Sequence, residues 1–436
     1  MGLMFEGATV AAVIPAYNEE GFVGEVVETV PGFVDRVYVV DDRSTDDTWA
    51  EIRETLAGLE GSERPGGSLR PTAGGSRSTT EGPVTSAAGS VADGSESPAG
   101  GSGSVTDGSG SVAGAAAASD GAGPAWRDRI VARDARTGTA LPDRIVVGLR
   151  HRENTGVGGA IKTGYRNAMA DDADIDVVAV MNGDGQMDPA ILDRIIGPVV
   201  RGEADYAKGN RLRHAEYRRQ MSTWRTFGNV LLTGLTRIAS GYWRMLDPQN
   251  GYTAISRRAL DRVEFESLYE DYGFCNHLLV RLNKRGLRIA DVPMRAVYGD
   301  ETSHIRYGSF VPTLSVLLFR SYLGRLLDDG DRGIGAPRSV AQLLGMGLLV
   351  GGVALATGSV LAGSAGAVAA GGVLALFGLA SFLTGVAAER RADADLEVRV
   401  EPADLPGEFD LAAADGATGD ERSGIATTDD AAGRED

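Results

Sequence analysis

The chain has 436 residues and a formal net charge of −17, with 60 acidic and 43 basic residues. Such an acidic surface argues against nucleic acid as the main partner, because phosphate backbones select basic surfaces. Nearly all basic residues are arginine; this pattern suits a protein kept soluble in high salt, with an ordinary acidic protein as the alternative. The single cysteine, Cys275, excludes an internal disulfide framework and favours a reducing compartment.

The beginning of the chain predicts strand, helix, strand and helix. The apolar runs "TVAAVIP" and "VDRVYVVDD" are typical of buried strands. Between them, "EEGFVGEVVETV" places Phe22, Val26 and Val30 near helical spacing. After the second strand, Ser44 with Asp47 resembles a capping box for the next helix.

A low-complexity segment, 61–125, interrupts this pattern. It consists mainly of Gly, Ser, Ala and Thr with acidic residues, so it lacks the apolar surface that folding requires. We interpret it as a disordered insertion. Beyond it, "DRIVVGLR" and "DVVAVMN" predict two more strands, with a helix from about Val157 between them. Asp188 and Pro189 suit the start of a further helix over 188–201.

Repeated β-then-α units predict an α/β fold with a mostly parallel sheet that helices cover on both faces. Three polar motifs follow predicted strands directly: "PAYNEE", "VDDRSTDDT" and "MNGDGQMDP". Ligands of such sheets bind beyond the carboxyl ends of the strands. This edge of the sheet is therefore the candidate site.

The C-terminal part predicts a membrane anchor. Between Arg338 and Glu389 the chain carries no charged residue, which suits two transmembrane helices over 339–389 with a tight turn near "GSAG". Arginines flank both outer ends, so both ends are expected on the cytoplasmic side. A buried helical hairpin in a soluble protein is the alternative. We expect a linker over 328–338 and an acidic disordered tail over 390–436.

The stretch "NTGVGGAIKTGY" superficially resembles two phosphate-binding motifs. A Walker P-loop requires Gly directly before the Lys, and here Ile161 occupies that position. A dinucleotide fingerprint requires G-x-G-x-x-G at the strand end, and this spacing is absent. What remains is a glycine-rich helix start whose N–H groups can face an anion or a sugar, with a purely structural turn as the alternative.

Acidic and amide side chains follow two of the predicted strands. Asp41 and Asp42 follow "VYVV", and Asp184 with Gln186 follows "VVAVM". Such oxygens at one sheet edge are typical ligands of Mg²⁺ or Mn²⁺, which neutralises charge on a departing nucleotide. Solvated loops or helix caps are the alternative interpretation of each cluster.

Six motifs now support a resemblance. "VIPAYNEE", "VVDDRSTDDT", "NTGVGGAIKTGY", "VMNGDGQMDP", "KGNRLR" and "LDPQNGYTAIS" have the order and spacing of family 2 glycosyltransferases. The chain most resembles the branch with dolichyl-phosphate mannose synthase and polyprenyl-phosphate glucosyltransferases, over about 8–325 without the insertion. The resemblance implies a GT-A fold and inverting transfer of a hexose from a nucleotide sugar to a membrane lipid phosphate.

The resemblance also implies roles for individual residues. Those on the nucleotide-sugar side are Pro15, Ala16, Tyr17, Glu19, Asp42, Gly158, Gly159 and Asn182. The implied metal ligands for Mg²⁺ or Mn²⁺ are Asp184 and Gln186. The implied catalytic residues are Asp184, Arg211, which reaches phosphate, and Asp247, which positions the acceptor. The implied ligands of the acceptor phosphate are Arg225, Asn229 and Arg306.

One departure from the family pattern concerns the metal. Asn182 replaces the first acid of the usual D-x-D motif, so the site carries one negative charge fewer. An amide oxygen still ligates or accepts a hydrogen bond, but a lower metal affinity is expected.

Two apolar segments are expected near the membrane surface. One carries a stripe at helical spacing, with core packing as the alternative: Trp224, Phe227, Leu231, Leu235 and Ile238. The other, 310–327, contains Arg320 and Arg325 and is expected in the plane of the headgroups.

The sequence as a whole predicts a multi-pass enzyme of the cell membrane, of archaeal, salt-adapted character, with two spans and a cytoplasmic catalytic domain. Its expected partners are a UDP- or GDP-linked sugar, dolichyl or polyprenyl phosphate and membrane lipid, and its product feeds protein or lipid glycosylation. Two alternatives stay open. A processive polysaccharide synthase lacks support, because the Q-x-x-R-W signature is absent. A catalytically decayed membrane scaffold would explain Asn182.

Overall fold

The computed structural model describes residues 5–61, 125–137, 144–212, 223–294, 307–330 and 332–400. The chain divides into two compact units, Met1–Glu63 with Trp126–Asp436, and Arg64–Ala125. The predicted insertion therefore coincides with the second unit, and nearly all of it lies outside the described residues, as does the tail beyond residue 400.

Nine strands in the described part of the chain form one sheet, in the order β3-β4-β2-β1-β5-β7-β6-β8-β9. The strands are β1 (Val10–Ala16), β2 (Arg36–Asp41), β3 (Ile130–Thr137), β4 (Ile145–His151), β5 (Val177–Val180), β6 (Tyr206–Asn210), β7 (Thr253–Ser256), β8 (Ile289–Pro293) and β9 (Glu397–Arg399). Strand β3 pairs antiparallel with β4, and β7 pairs antiparallel with β5 and β6, while the other five pairings are parallel. The mostly parallel α/β sheet is confirmed.

The helices include those that the sequence predicts, in the same order, and two that it did not predict, Arg257–Val263 and Phe274–Lys284. They are α1 (Val23–Thr29), α2 (Thr48–Gly61), α3 (Val157–Met169), α4 (Leu192–Val200), α5 (Thr223–Ser240), α6 (Arg257–Val263), α7 (Phe274–Lys284), α8 (Tyr307–Leu326), α9 (Pro337–Leu361) and α10 (Ala365–Ala392). Before α4, Asp188 accepts a hydrogen bond from Ala190 N at 2.9 Å and starts a short 3-10 helix, as its position ahead of Pro189 predicts.

The core lies on both faces of the sheet. All seven residues of β1 are buried, and their side chains alternate between the two faces. Ile14 packs on one face in a cluster with residues of α1, α2 and α4, whereas Val13 packs on the other with residues of α3 and α7. This three-layer arrangement fixes β1 and leaves its carboxyl end at the edge where the polar motifs follow.

Two local predictions differ from the structure, and one strand was not predicted. Phe22 is 45% exposed, although Val26 and Val30 of the same segment are buried. Ser44 does not cap α2, because its Oγ accepts a hydrogen bond from Asn18 N at 3.0 Å; instead Asp46 Oδ1 accepts one from Thr48 N at 3.1 Å. Strand β3 follows the insertion directly and was not predicted, because its alternating polar residues suit an edge strand with one face in water.

Helices α9 and α10 form the two long apolar elements that the sequence predicts, joined across residues 362–364. Only 17% and 11% of the residues in their most apolar windows are buried, which argues against a buried hairpin of a soluble protein. We call this pair the hairpin. In α10 the buried residues are Gly371, Gly378, Gly385 and Glu389.

The hairpin's glycines allow the two backbones to touch. A Cβ on Gly378 would lie 2.3 Å from the amide nitrogen of Leu349, and one on Gly352 would lie 2.4 Å from that of Ala375. Real Cβ atoms do not approach backbone so closely, so these positions require glycine. Small residues at a helix interface are typical of pairs that associate in lipid, where helices gain from close packing rather than from the hydrophobic effect.

A buried polar cluster joins the hairpin to the sheet domain. Arg325 of α8 is 3% exposed and forms an ion pair with Glu389 of α10. Its Nε donates to Ala239 O of α5 at 2.9 Å. Gln342 of α9 donates to Glu389 at 3.3 Å. The prediction that Arg325 lies among headgroups is therefore wrong, because its charge is paired inside the protein.

The segments on either side of the hairpin form tertiary contacts that the sequence does not predict, and the first part of the expected disordered tail is ordered. In the expected linker, Arg332 pairs with Asp393 at 2.8 Å. In the expected tail, Glu397–Arg399 forms strand β9, which pairs parallel with β8. Tertiary pairing stabilises both segments, and their acidic composition gives no local sign of it.

Candidate functional site

The carboxyl ends of β1, β2 and β5 meet at one point of the sheet edge. Gly183 N, after β5, donates to Pro15 O at 3.0 Å, and Asp42 N, after β2, donates to Ala16 O at 2.9 Å. Parallel register thus brings the three polar motifs together, as predicted. A Cβ on Gly183 would lie 3.2 Å from that of Ala16, so the loop after β5 lies directly on the end of β1.

The loop after β1 is tied to the loop after β2. Asn18 Oδ1 accepts from Thr45 N at 2.9 Å, and Glu19 N donates to Thr48 Oγ1 at 2.8 Å. Tyr17 stands at the start of this loop with 45% of its surface exposed, where a flat ligand can stack on it. The predicted contacts of Pro15, Ala16, Tyr17 and Glu19 with a nucleotide stay predictions.

Asp42 is buried and organises the start of α3. Its Oδ1 accepts from Thr155 N at 2.9 Å and lies 2.7 Å from His151 Nδ1, and its Oδ2 accepts from Gly156 N at 2.7 Å. The free N–H groups of the glycine-rich stretch therefore face an anion, as the sequence suggested, but that anion is the chain's own Asp42. Its predicted contact with the nucleoside would require it to share these hydrogen bonds.

The glycine-rich stretch packs against the backbone of Tyr269 and Glu270. A Cβ on Gly158 would lie 2.6 Å from Tyr269 O, and Gly159 N donates to Glu270 O at 2.9 Å. Lys162, which follows these glycines, is buried and pairs with Glu270 at 2.8 Å. Close packing explains both glycines without a ligand, and their contact with a nucleotide sugar stays a prediction.

The loop after β5 carries the candidate metal ligands. Asp184 is half-buried; its Oδ1 accepts from Gln186 N at 3.0 Å, and its Oδ2 lies 3.5 Å from Asn182 Nδ2. Among the described residues, no group of three or more His, Cys, Asp and Glu is placed to hold a metal ion. One carboxylate flanked by two amides nevertheless fits Mg²⁺ or Mn²⁺, because these hard cations take further oxygen ligands from water and substrate phosphates.

The loop before β7 closes the site from the other side. A Cβ on Gly251 would lie 3.3 Å from Asn182 Oδ1, and Tyr252 Oη donates to Asp188 O at 3.0 Å. In this loop Asp247 binds Arg211, which follows β6, through two hydrogen bonds, from Nε at 2.8 Å and from Nη2 at 3.1 Å. The two predicted catalytic residues of this side are thus brought together as a bidentate pair.

The charge state of Asp247 follows from this pairing. Burial by itself raises the pKa of the Asp247 carboxyl, but the charge and hydrogen bonds of Arg211, with a smaller contribution from Lys208, outweigh it. The pKa of Asp247 is therefore lowered, and the carboxylate stays ionised at neutral pH. An ionised, paired carboxylate orients a cation better than it removes a proton.

Sequence reasoning missed two residues that support this pair. Lys208 is fully buried, pairs with Asp291 at 2.8 Å and donates to Asp247 O at 2.9 Å. Asp291 in turn accepts from Leu246 N at 2.7 Å. Lys208 begins the quoted "KGNRLR" motif and is one of three lysines in the chain. Its rarity could have drawn attention to it, but the motif does not show which groups it contacts.

The candidate acceptor residues are only partly within the described structure. The side chains of Arg225 and Asn229 lie outside the described part of α5, and Arg306 lies outside the described residues. Further along α5 the buried face carries Leu232 and Ala239, while Leu231 of the predicted stripe is 39% exposed. Leu235 and Ile238 of the stripe pack against the same core cluster as Leu232 and Ala239, so core packing accounts for these two positions and Leu231 lies at the edge of the packed face.

The chain matches the family model described as Glycosyl transferase family 2 over residues 11–64 and 130–264. A curated relative, the UDP-N-acetylglucosamine–dolichyl-phosphate N-acetylglucosaminyltransferase of Methanococcus voltae, is 31% identical over 155 residues, 36% of this chain and 61% of that protein. The chain thus spans less than two thirds of that relative's length. An uncharacterized protein of Methanocaldococcus jannaschii is 26% identical over 181 residues, which cover 42% and 72% of the two chains.

The chain is also similar, over a short stretch, to a glucosyl-3-phosphoglycerate synthase. The glucosyl-3-phosphoglycerate synthase of Mycolicibacterium smegmatis is 52% identical over 58 residues, 12% of this chain and 18% of that protein. The glucosyl-3-phosphoglycerate synthase of Mycobacterium tuberculosis, solved with Mn²⁺, UDP and glucosyl-3-phosphoglycerate, is 19% identical, with 73% of this chain and 80% of that chain covered and a TM-score of 0.39. The family match lies on both sides of the insertion and includes every strand end of the site, so residues 11–64 and 130–264 match the model of a Glycosyl transferase family 2 domain.

Proposed function

We propose that this chain transfers a hexose, with inversion, from a UDP- or GDP-linked sugar to dolichyl or polyprenyl phosphate at the cytoplasmic face of the cell membrane. The observation that carries the proposal is a strand-end site of a family 2 domain in the same compact unit as two long, outward-facing apolar helices. The name of the Methanococcus voltae relative supports dolichyl phosphate as the acceptor.

On the donor side, the loops after β1 and β2 hold the nucleoside, with Tyr17 as the exposed ring. Asp184 with Gln186, and Asn182 as a neutral neighbour, would hold Mg²⁺ or Mn²⁺. Such a cation supplies positive charge for the oxygens of the departing diphosphate. Arg211 supplies a second positive charge at the same edge, and Asp247 fixes its orientation through the bidentate pair.

The acceptor needs orientation more than activation. A phosphate monoester has a second pKa of about 6 and is largely a dianion at pH 7. Its oxygen therefore attacks without a strong base, which agrees with an Asp247 that stays ionised. Arg225, Asn229 and Arg306 bind this phosphate in our proposal. The exposed apolar residues of α5 and α8, among them Val230, Val316 and Phe319, then face the lipid chain.

The hairpin keeps the site at the lipid surface. We propose that α9 and α10 span the bilayer and that the catalytic domain extends over 1–327, with both ends of the hairpin in the cytoplasm. Both helices are longer than the roughly 20 residues that a bilayer requires. Arg390 and Arg391 lie at the end of α10, in agreement with the positive-inside tendency.

The test uses the purified full-length protein with a panel of radiolabelled UDP- and GDP-sugars, beginning with UDP-N-acetylglucosamine. The acceptors are dolichyl phosphate and, because of the short match to a glucosyl-3-phosphoglycerate synthase, 3-phosphoglycerate. We expect the assay to form a lipid-linked monosaccharide, and we expect its formation to require a divalent cation. Transfer to 3-phosphoglycerate alone would contradict the lipid acceptor, a polymer would indicate a processive synthase, and no turnover would indicate a decayed scaffold.

A substitution tests the donor side. Asp184→Ala removes the charged oxygen ligand, so we expect turnover to fall by about 100-fold or more while the fold stays intact. Asp172→Ala, at an exposed carboxylate outside the site, is the matched control and keeps full activity. Near wild-type turnover of Asp184→Ala at saturating Mg²⁺ or Mn²⁺ would refute the metal assignment.

A further inference from the structure

The chain returns to the sheet directly after the hairpin. Helix α10 ends at Ala392, and the next residue, Asp393, accepts a hydrogen bond from Asn283 Nδ2 at 3.0 Å. Four residues later Glu397 begins β9, which pairs with β8 at the edge of the sheet. This segment lies beyond the residues that the family model matches. It is nevertheless built into the domain that carries the site.

The Glu397 carboxylate binds three consecutive backbone amides of the loop before β7. Oε1 accepts from Trp243 N at 2.8 Å, and Oε2 accepts from Arg244 N at 2.6 Å and from Met245 N at 2.8 Å. A concavity of successive N–H groups of this kind is a typical anion site. Here the anion is a side chain of the same protein.

The same loop is held at each following residue. Leu246 N donates to Asp291 at 2.7 Å, and Lys208 binds the carbonyl oxygens of Leu246 and Asp247. Asp247 itself has a φ of 45°, a left-handed conformation that non-glycine residues adopt rarely and that the surrounding contacts must maintain. The carboxylate of this residue accepts the two hydrogen bonds from the Arg211 guanidinium.

We propose that Glu397 is a positioning residue of the transfer site: it fixes residues 243–245 and, through them, the Asp247–Arg211 pair. The inference rests on the proposed function for its kinetic consequence, but its structural part stands on the three hydrogen bonds. The strand after the hairpin is then part of the catalytic apparatus rather than an appendage of the anchor.

The kinetic test uses full-length protein with Glu397→Ala, Glu397→Asp and the control Asp395→Asn, an exposed carboxylate two residues away. A misplaced charged pair lowers kcat, so we expect Glu397→Ala to lose about tenfold in kcat with both KM values within about twofold. Glu397→Asp restores part of the loss, and Asp395→Asn has no effect. In the double variant with Asp247→Asn, Glu397→Ala adds almost nothing, because both act through one pair.

A second measurement separates positioning from general stabilisation and does not require activity. Amide hydrogen exchange in Glu397→Ala should accelerate in the peptide that covers 243–247 and stay unchanged in a peptide of β1. Multiplicative kcat losses in the double variant, or unchanged exchange at 243–247, would overturn the positioning role. A wild-type protein that transfers no hexose refutes the proposed function instead, and the exchange result still decides the role of Glu397.

Discussion

Strand β1 and helix α10 bury opposite kinds of residue. In β1 every residue is buried, and aliphatic side chains such as Val13 and Ile14 pack on the two faces of the sheet. In α10 glycines form the buried seam, while Leu376 and Phe377 are 68% and 70% exposed. Water drives apolar side chains into the first region, whereas close backbone approach holds the second together. The two regions therefore bury surfaces of different kinds, aliphatic side chains in β1 and glycine backbone in α10.

The buried polar cluster that joins the hairpin to the sheet domain should be the place where a substitution lowers the stability most. Glu389→Ala leaves the buried Arg325 without its ion-pair partner, and breaking such a pair costs about 3–5 kcal/mol. Thermal unfolding of the full-length protein in detergent micelles measures this loss. The double change Arg325→Met with Glu389→Met removes both charges and should cost clearly less. An equal loss in the two variants would mean that the pair's charges do not matter.

Truncating one large side chain in β1 and one in α10 tests whether large side chains are buried in the first region and exposed in the second. Ile14→Ala should lower the free energy of unfolding by about 2–5 kcal/mol, because it opens a cavity in the sheet core. Leu376→Ala removes an outward side chain and should change it by less than about 0.5 kcal/mol. Chemical denaturation in micelles gives both values. Comparable losses would show that α10 is buried against protein in its working state.

Two glycines of α10 test the seam. A Cβ on Gly378 meets the backbone of α9 at 2.3 Å, whereas one on Gly372 meets nothing within 4 Å. Gly378→Ala should therefore destabilise the hairpin by about 1–3 kcal/mol. Gly372→Ala should be neutral or stabilise it by about 0.5–1 kcal/mol, because Ala favours the helix. Limited proteolysis of the hairpin across a temperature series ranks the two variants, and the reverse order would disprove the seam.

The smallest expected effect is a pH dependence that is absent near neutrality. The pKa of Asp247 in the folded protein lies below its unfolded value of about 3.9, so its contribution to stability is present above that pH and is lost as the pH falls through the folded pKa. The difference in melting temperature between wild type and Asp247→Asn should stay constant from about pH 5 to 8 and shrink below about pH 4. A difference that changes between pH 6 and 8 would contradict the lowered pKa.

The sequence predicts the elements that show a clear local pattern of apolar residues. Continuous apolar runs identify β1, β2, β4 and β5, and the uncharged segment identifies the hairpin. Polar residues at strand ends locate the site because parallel strands end at one edge. Each of these signals is local, or follows from a general rule of sheet topology.

The rest depends on contacts between distant parts of the chain. Nothing near Glu397 in the sequence indicates that its carboxylate binds residues 243–245, and nothing near Arg325 indicates a partner 64 positions away. Asp42 lies in a motif that is typical of a ligand site, but in the structure its carboxylate accepts hydrogen bonds from the chain's own backbone. Local patterns describe which side chains are polar, but the fold decides whether each one meets the substrate or the protein.

Strand β9 also has a consequence for the order of events during synthesis. A ribosome synthesises residues 397–399 only after it has synthesised both helices of the hairpin. The last position of the sheet, beside β8, and the amides of residues 243–245 therefore wait for a segment that follows the apolar helices. A chain that ends before residue 397 therefore contains the whole hairpin but lacks the strand that completes the sheet.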